Sequence, residues 1–401
     1  MARVLLANEL GGGLGHVRRL LIIAEALRSD GHEPILAVRD LALAAVAVDG
    51  TGLPLLQSPY ARPIDRWRDP PRSVTGYGDI LASFAFDNPS FLAAMVDAWD
   101  SLLRLVKPRL LVLDFAPFLG LASFGRYQRL LVGNGYTLPP TTDGQFPRLR
   151  DAPPLIADSA LLKAARVVQS ARGWTPLHTL TDLLAGQGSF VTHLPLVDPY
   201  RADRRPPAAG PLSKLAGPGG RPPTEDFFAY LSATYAGTEK VLQAIAGMGL
   251  RGELFLRDST AARREHWRAQ GLTVHEAPQL LDQMLERSAL FIHHGGPSSI
   301  EQAMALGRPQ LLVPRHVEQF ATGKEAARQG TLLMLAPHAQ FATAHAVAAI
   351  ERLRQDDAFR MNAERLAQAL AQEREGGSLE AIIAAYRRLL SGDQHMGRAS
   401  D

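Results

Sequence analysis

Residues 3–38 admit few folds. RVLLAN (3–8) is a short apolar run of strand length, and a glycine-rich loop follows it. Val17, Leu20, Leu21, Ala24 and Leu27 then recur at helical spacing, and Gly31 stands where that helix should stop. EPILAV (33–38) resumes as a strand. Strand, loop, helix, strand is a βαβ unit, which requires a parallel sheet and places ligands at the C-terminal ends of its strands.

The same logic continues along the chain. RLLVLD (109–114) and RLLVGN (129–134) read as buried strands, and the first delivers Asp114 to the ligand-binding edge. LALAAVAV (41–48) reads as a buried helix. Residues 77–99 carry Phe84, Phe86, Phe91, Met95 and Trp99 and read as core or as an apolar pocket wall. Prolines in the segment 58–77 forbid regular interiors, so a long functional loop is expected there. In the second half FFAYLS (227–232), GELFLR (252–257), LTVHE (272–276), ALFIHH (289–294) and PQLLVP (309–314) are strand-length runs between helical patterns. Pro, Gly, Ala and Arg dominate residues 198–223, which read as a linker with Arg201, Arg204 and Arg205 on its solvated surface.

A chain of 401 residues, at about 150 per domain, is expected to form two domains with a cleft between them. The hydrophobic fraction of 46% is that of a folded chain. Zero cysteines remove disulfides, zinc-thiolate sites and a Cys nucleophile. The formal charge of +3 comes from 43 basic and 40 acidic residues without a basic patch interleaved with aromatics, which argues against nucleic acid as a partner. The first apolar run is too brief for a signal segment, and no stretch of about 18 apolar residues occurs, so a cytoplasmic location without a transmembrane segment is expected.

Chemistry concentrates in two places. In FIHHGGPSSIEQAMALGRP (291–309), a strand ends on His293 and His294, and Gly295 and Gly296 allow a tight turn. Ser298 is then expected to cap a helix running to Leu306, with Gly307 as its stop. Such a helix N-terminus suits a diphosphate, because its backbone N–H groups and dipole both favour an anion. Alternatively, Ser298-x-x-Glu301 is only a capping box. In the loop NELGGGLGHVRRL, Gly11-x-Gly13 is followed by His16 where a dinucleotide fingerprint needs its third glycine, so that reading fails. His16, at a helix start, and Asp114, at a strand end, are two titratable groups that open on the same edge. Separately, each also reads as a helix-start histidine that packs and an aspartate that caps.

These residues together resemble the GT-B glycosyltransferases of the family-1 type, which include plant secondary-metabolite and bacterial antibiotic enzymes. The family's donor motif is matched in order by His294-Gly295-Gly296, Ser298-x-x-Glu301, Gly307-Arg308-Pro309, Pro314 and Glu318-Gln319, with Pro278-Gln279-x-Leu281 upstream. Gly15-His16, in the loop that also holds Gly12 and Gly13, matches the family's Gly-His, and Asp114 its orienting aspartate. The segment from Gly296 to Ser298 is one residue short of the family pattern, so counting selects His293 from one side and His294 from the other. Glu276 stands where plant members have a base-stacking Trp.

The resemblance implies an α/β GT-B architecture of two Rossmann-like parallel-sheet domains facing across a cleft. Residues 1–200 would bind the acceptor, 201–223 would link, 224–375 would bind the donor, and a C-terminal helix within 376–401 would pack back on the first domain. It implies an enzyme that moves a sugar from a UDP-, dTDP- or GDP-linked donor to a hydroxyl of a natural product, glycan or lipid, with inversion and without another cofactor. No D-x-D triplet occurs, so metal independence is expected as well. His16 would be the base, and His293 or His294 a phosphate ligand. Gln279, Ser298 and Ser299 would serve the donor, Glu301 its ribose, and Glu318 and Gln319 its sugar. A sugar-nucleotide epimerase of the same fold and a non-catalytic helper are the alternatives. Oligomeric state and peripheral membrane contact stay open.

Overall fold

The computed structural model describes residues 1–64, 74–141, 143–218, 222–337, 339–372 and 377–391. Residues 65–73 of the loop expected at 58–77 therefore lie outside the described residues. Two compact units share the chain. The first comprises residues 1–192, 202–213 and the C-terminal helix Ser378–Ser391; the second comprises residues 193–201 and 214 onward through the helix Asp357–Gln372.

The first unit is built on strands β1 (Arg3–Asn8), β2 (Glu33–Val38), β3 (Leu55–Gln57), β4 (Leu110–Asp114), β5 (Arg129–Gly133) and β6 (Gly188–Val191). They form one parallel sheet in the order β3-β2-β1-β4-β5-β6. The central strands are buried on both faces, as a sheet covered by helices demands, which is why they read as unbroken apolar runs. β1 and β4 pair in register so that Asn8 lies beside Asp114 at the C-terminal edge. The helix Leu14–Ser29 buries Val17, Leu20, Ile23, Ala24 and Leu27 and ends before Gly31, whose φ of 78° favours glycine. The C-terminal helix buries Ile382, Ala385, Tyr386 and Leu390 in the same core. Its Tyr386 hydroxyl donates to Asp30 Oδ2 at 2.8 Å, and Arg387 reaches both Asp30 oxygens at 2.6 and 2.7 Å.

The second unit holds β7 (Glu225–Ser232), β8 (Gly252–Arg257), β9 (Thr273–His275), β10 (Ser288–His293), β11 (Gln310–Leu312) and β12 (Leu332–Met334), again parallel, in the order β12-β11-β10-β7-β8-β9. The strand order reverses between β10 and β7, the place where an open α/β sheet opens a crevice at its carboxyl ends. Among the described residues no helix is long and apolar enough to cross a membrane.

Several expectations need correction. Residues 193–201 group with the second unit and 202–213 with the first, so the stretch read as a linker belongs to both bodies. Arg204 within it is buried and donates to the carbonyls of Leu138 at 2.9 Å and Gly135 at 3.4 Å instead of facing solvent. The helix Leu41–Val48 buries only Ala44 and leaves Val46 79% exposed; an unbroken apolar helix here does not mark a core. Phe84, Phe86, Met95 and Trp99 belong to the core of the first unit, with Phe91 packed against it.

Candidate active site

His16 lies in the first turn of the helix Leu14–Ser29, and Asp114 ends β4. The parallel pairing of β1 with β4 brings them together, with His16 Nδ1 2.9 Å from Asp114 Oδ1. The carboxylate can only accept, so Nδ1 carries the proton; in the neutral ring Nε2 then has a lone pair for a substrate proton. Sequence reasoning missed the third member. Arg19, one turn after His16, donates through Nη1 to Asp114 Oδ2 at 2.7 Å and through Nε to Thr192 Oγ1 at 2.8 Å. Both Asp114 oxygens are thus held by side chains of one helix. Burial alone would push the Asp114 carboxyl up; the charge of Arg19, with the hydrogen bonds from His16 and Arg19, outweighs it and holds the group below its ordinary value.

The loop before His16 is packed onto the ring. A Cβ on Gly11 would lie 2.4 Å from His16 Cδ2 and Nε2 and 2.6 Å from Asn8 Nδ2, whereas Gly12, Gly13 and Gly15 meet nothing within 4 Å. Gly13 is needed for another reason, its φ of 92°. On the other side Phe115, held at φ 51°, stacks against His16 at 6.4 Å, and Tyr77 and Phe146 continue the aromatic wall. Buried Glu9 holds the start of the helix Pro117–Ser123: its oxygens accept N–H groups of Phe118 at 2.9 Å and Leu119 at 2.5 Å, and burial pushes its pKa up to about 8.

In the second unit the glycine turn follows β10, with Gly295 at φ 86°, where a Cβ would stand 3.1 Å from Leu312 and 3.4 Å from the Gln319 carbonyl. The helix spans Pro297–Ala305, with Gly296 rather than Ser298 at its N-cap, so Ser298 caps nothing and the capping-box reading fails. Proline at the first helical position has no N–H to lose, which is why the helix starts there. Ser298 is exposed in the first turn and Ser299 is half-buried beside it.

The two histidines are spoken for. His293 is buried, accepts the Gly295 N–H on Nδ1 at 3.2 Å and donates from Nε2 to Gln310 Oε1 at 3.0 Å. His294 donates from Nδ1 to the Val313 carbonyl at 2.8 Å and accepts the Ser232 N–H on Nε2 at 2.7 Å. Burial pushes their pKa values down to about 3 and about 4, so both are neutral at neutral pH. Neither ring keeps an N–H for a phosphate in this arrangement, contrary to the expectation for either. Glu301 also departs from its expected place. It is buried, and its carboxylate takes Nδ1–H of His193 at 2.7 Å and the Leu194 N–H, leaving no exposed oxygen for a ribose.

Of the remaining candidates, Gln279 is exposed and folds back onto the Ala277 carbonyl at 2.9 Å. Glu318 and Gln319 open the helix Val317–Ala326, and Gln319 Oε1 accepts the Arg315 N–H at 2.8 Å.

Residues 273–377 match the family model described as Erythromycin biosynthesis protein CIII-like, C-terminal domain. No curated protein sequence matches the chain. Solved structures match along nearly its whole length. The glycotransferase of kitacinnamycin is 16% identical over 97% of this chain and 98% of its own, with a TM-score of 0.67. CalG4, the calicheamicin glycosyltransferase, is 18% identical over 100% and 99%, with a TM-score of 0.66. VinC, a glycosyltransferase solved in complex with dTDP, is 14% identical over 97% and 99%, with a TM-score of 0.64. The fold of this chain is the GT-B fold of these glycosyltransferases.

Proposed function

We propose, on the premise of that fold, that the chain is a glycosyltransferase moving a sugar from a nucleoside diphosphate sugar to a hydroxyl of a small molecule. The observation that carries this reading is the buried His16–Asp114 pair, with Nδ1 2.9 Å from the carboxylate. His16 Nε2 takes the acceptor O–H proton; the oxygen bonds to the anomeric carbon as the bond from that carbon to the β-phosphate oxygen breaks. The nucleoside diphosphate leaves with the electron pair, and a single displacement inverts the centre. Asp114 stabilises the imidazolium that forms. The first unit supplies the base. The second holds the donor, with Ser298, Ser299 and the dipole of their helix serving the diphosphate in place of a metal and Glu318 and Gln319 serving the sugar. Glu301, held by His193, is left out of the donor contacts. The half-buried Phe115 ring beside the base favours an apolar acceptor.

The test is binding and slow hydrolysis of UDP-, dTDP- and GDP-sugars. One donor class should bind and be hydrolysed. An isomerised sugar nucleotide as the product would instead favour an epimerase, and no binding at millimolar concentration would favour a helper protein. A steric prediction accompanies it. Gly11→Ala, which pushes a methyl into the base, should cut donor turnover by about 100-fold, because a displacement of about 1 Å at the reacting group costs that much. Gly15→Ala, at a position with open space, should cost far less; equal losses would mean that the ring contact is not what Gly11 provides.

A further inference from the structure

The second unit carries two arginines at its ligand-binding edge that no part of the motif explains. β7 and β8 run in register so that Ser232 pairs with Arg257, the last residue of β8. Ser232 is tied to His294 through its N–H, and His294 is tied in turn to Val313, two residues before Arg315. The strand order β11-β10-β7-β8 therefore puts Arg257 and Arg315 on opposite flanks of His294 at one sheet edge.

We propose that Arg257 and Arg315 grip the diphosphate of the nucleotide sugar, taking the contact that the neutral, backbone-bound His294 does not make. The inference rests on the glycosyltransferase reading above and says which side chains meet the leaving group. The Arg315 guanidinium is half-buried and makes no hydrogen bond or ion pair among the described residues. Burial, and then the neighbouring Arg257, hold its pKa below the ordinary value, so it sits in repulsion that an anion relieves. The side chain of Arg257 is 46% exposed and within reach of a ligand. One carboxylate attends the two cations: Asp258 Oδ2 lies 3.2 Å from Arg257 Nε and 3.4 Å from Ser232 Oγ. Two planar guanidinium forks match phosphate oxygens bidentately, and a diphosphate supplies the charge that the single aspartate does not.

Calorimetric titration of UDP, dTDP and GDP against uridine, thymidine and guanosine decides the matter. Arg257→Gln and Arg315→Gln should each weaken diphosphate binding by about tenfold or more and leave the nucleosides unaffected. Asp258→Asn should move the other way and tighten it. Arg315→Lys, which keeps the charge, separates loss of the fork from a folding defect, and in the unmutated protein salt should weaken UDP but not uridine. If the unmutated protein binds a nucleoside diphosphate and both glutamine variants bind it equally well, the arginine assignment is wrong and the glycosyltransferase reading stands. If the unmutated protein binds none of the three diphosphates, both are wrong.

Discussion

Replacing His16 with glutamine is expected to lower turnover by about 10²–10⁴-fold, the range for loss of a positioned general base, with donor affinity unchanged. Glutamine keeps a hydrogen-bonding group of similar reach but cannot take a proton. The measurement is donor hydrolysis at saturating sugar nucleotide, water standing in for the acceptor, beside calorimetric donor binding. Arg19→Met should lower turnover less and shift its pH dependence, because Asp114 then answers to His16 alone, with no competing cation on Oδ2. Full activity in His16→Gln would remove the base from the mechanism and with it the role of Asp114.

Tyr386→Ala should destabilise the first unit by about 3–5 kcal/mol, the cost of deleting a large buried aromatic ring. The ring is fully buried in the core that the C-terminal helix shares with the helix Leu14–Ser29. A domain stable by about 5–15 kcal/mol would lose a large part of that margin. In scanning calorimetry the first unit should melt about 10 °C lower. Tyr386→Phe isolates the hydroxyl bond to Asp30 and should cost about 1 kcal/mol. The hydrogen bond from Arg387, then that from Tyr386, holds the Asp30 carboxyl down at about 2, below its model-compound value of 3.8. The stability this adds is present above 3.8 and is lost as pH falls through about 2. An unchanged melting profile for Tyr386→Ala would mean that the C-terminal helix is dispensable to the first unit.

The central strands were legible because burial on both faces turns them into apolar runs. β3, β6 and β12 were not: each is an edge strand of three or four residues, a length at which the apolar pattern decides little. The base pair was legible because a Gly-His helix start and a strand-end Asp are local signals. Arg19 was not, since a lone arginine in a helix reads as solvated and its partner Asp114 is 95 residues away. The donor segment shows the same limit. Its motif is local, but what its side chains bind is not: Glu301 meets His193 across 108 residues and His294 meets Ser232 across 62. A motif names which residues stand at an edge, and the partners decide whether they face a ligand.

His16 and Arg19 stand one turn apart on a single helix and close on the two oxygens of one aspartate. The aim of the base is therefore set by the rotational phase of that helix against β4, with the Gly11 backbone closing on the ring as the second constraint. Loops that do not touch the ring can be exchanged or lengthened while the imidazole keeps its bearing, so the first unit can hold one fixed histidine inside replaceable walls.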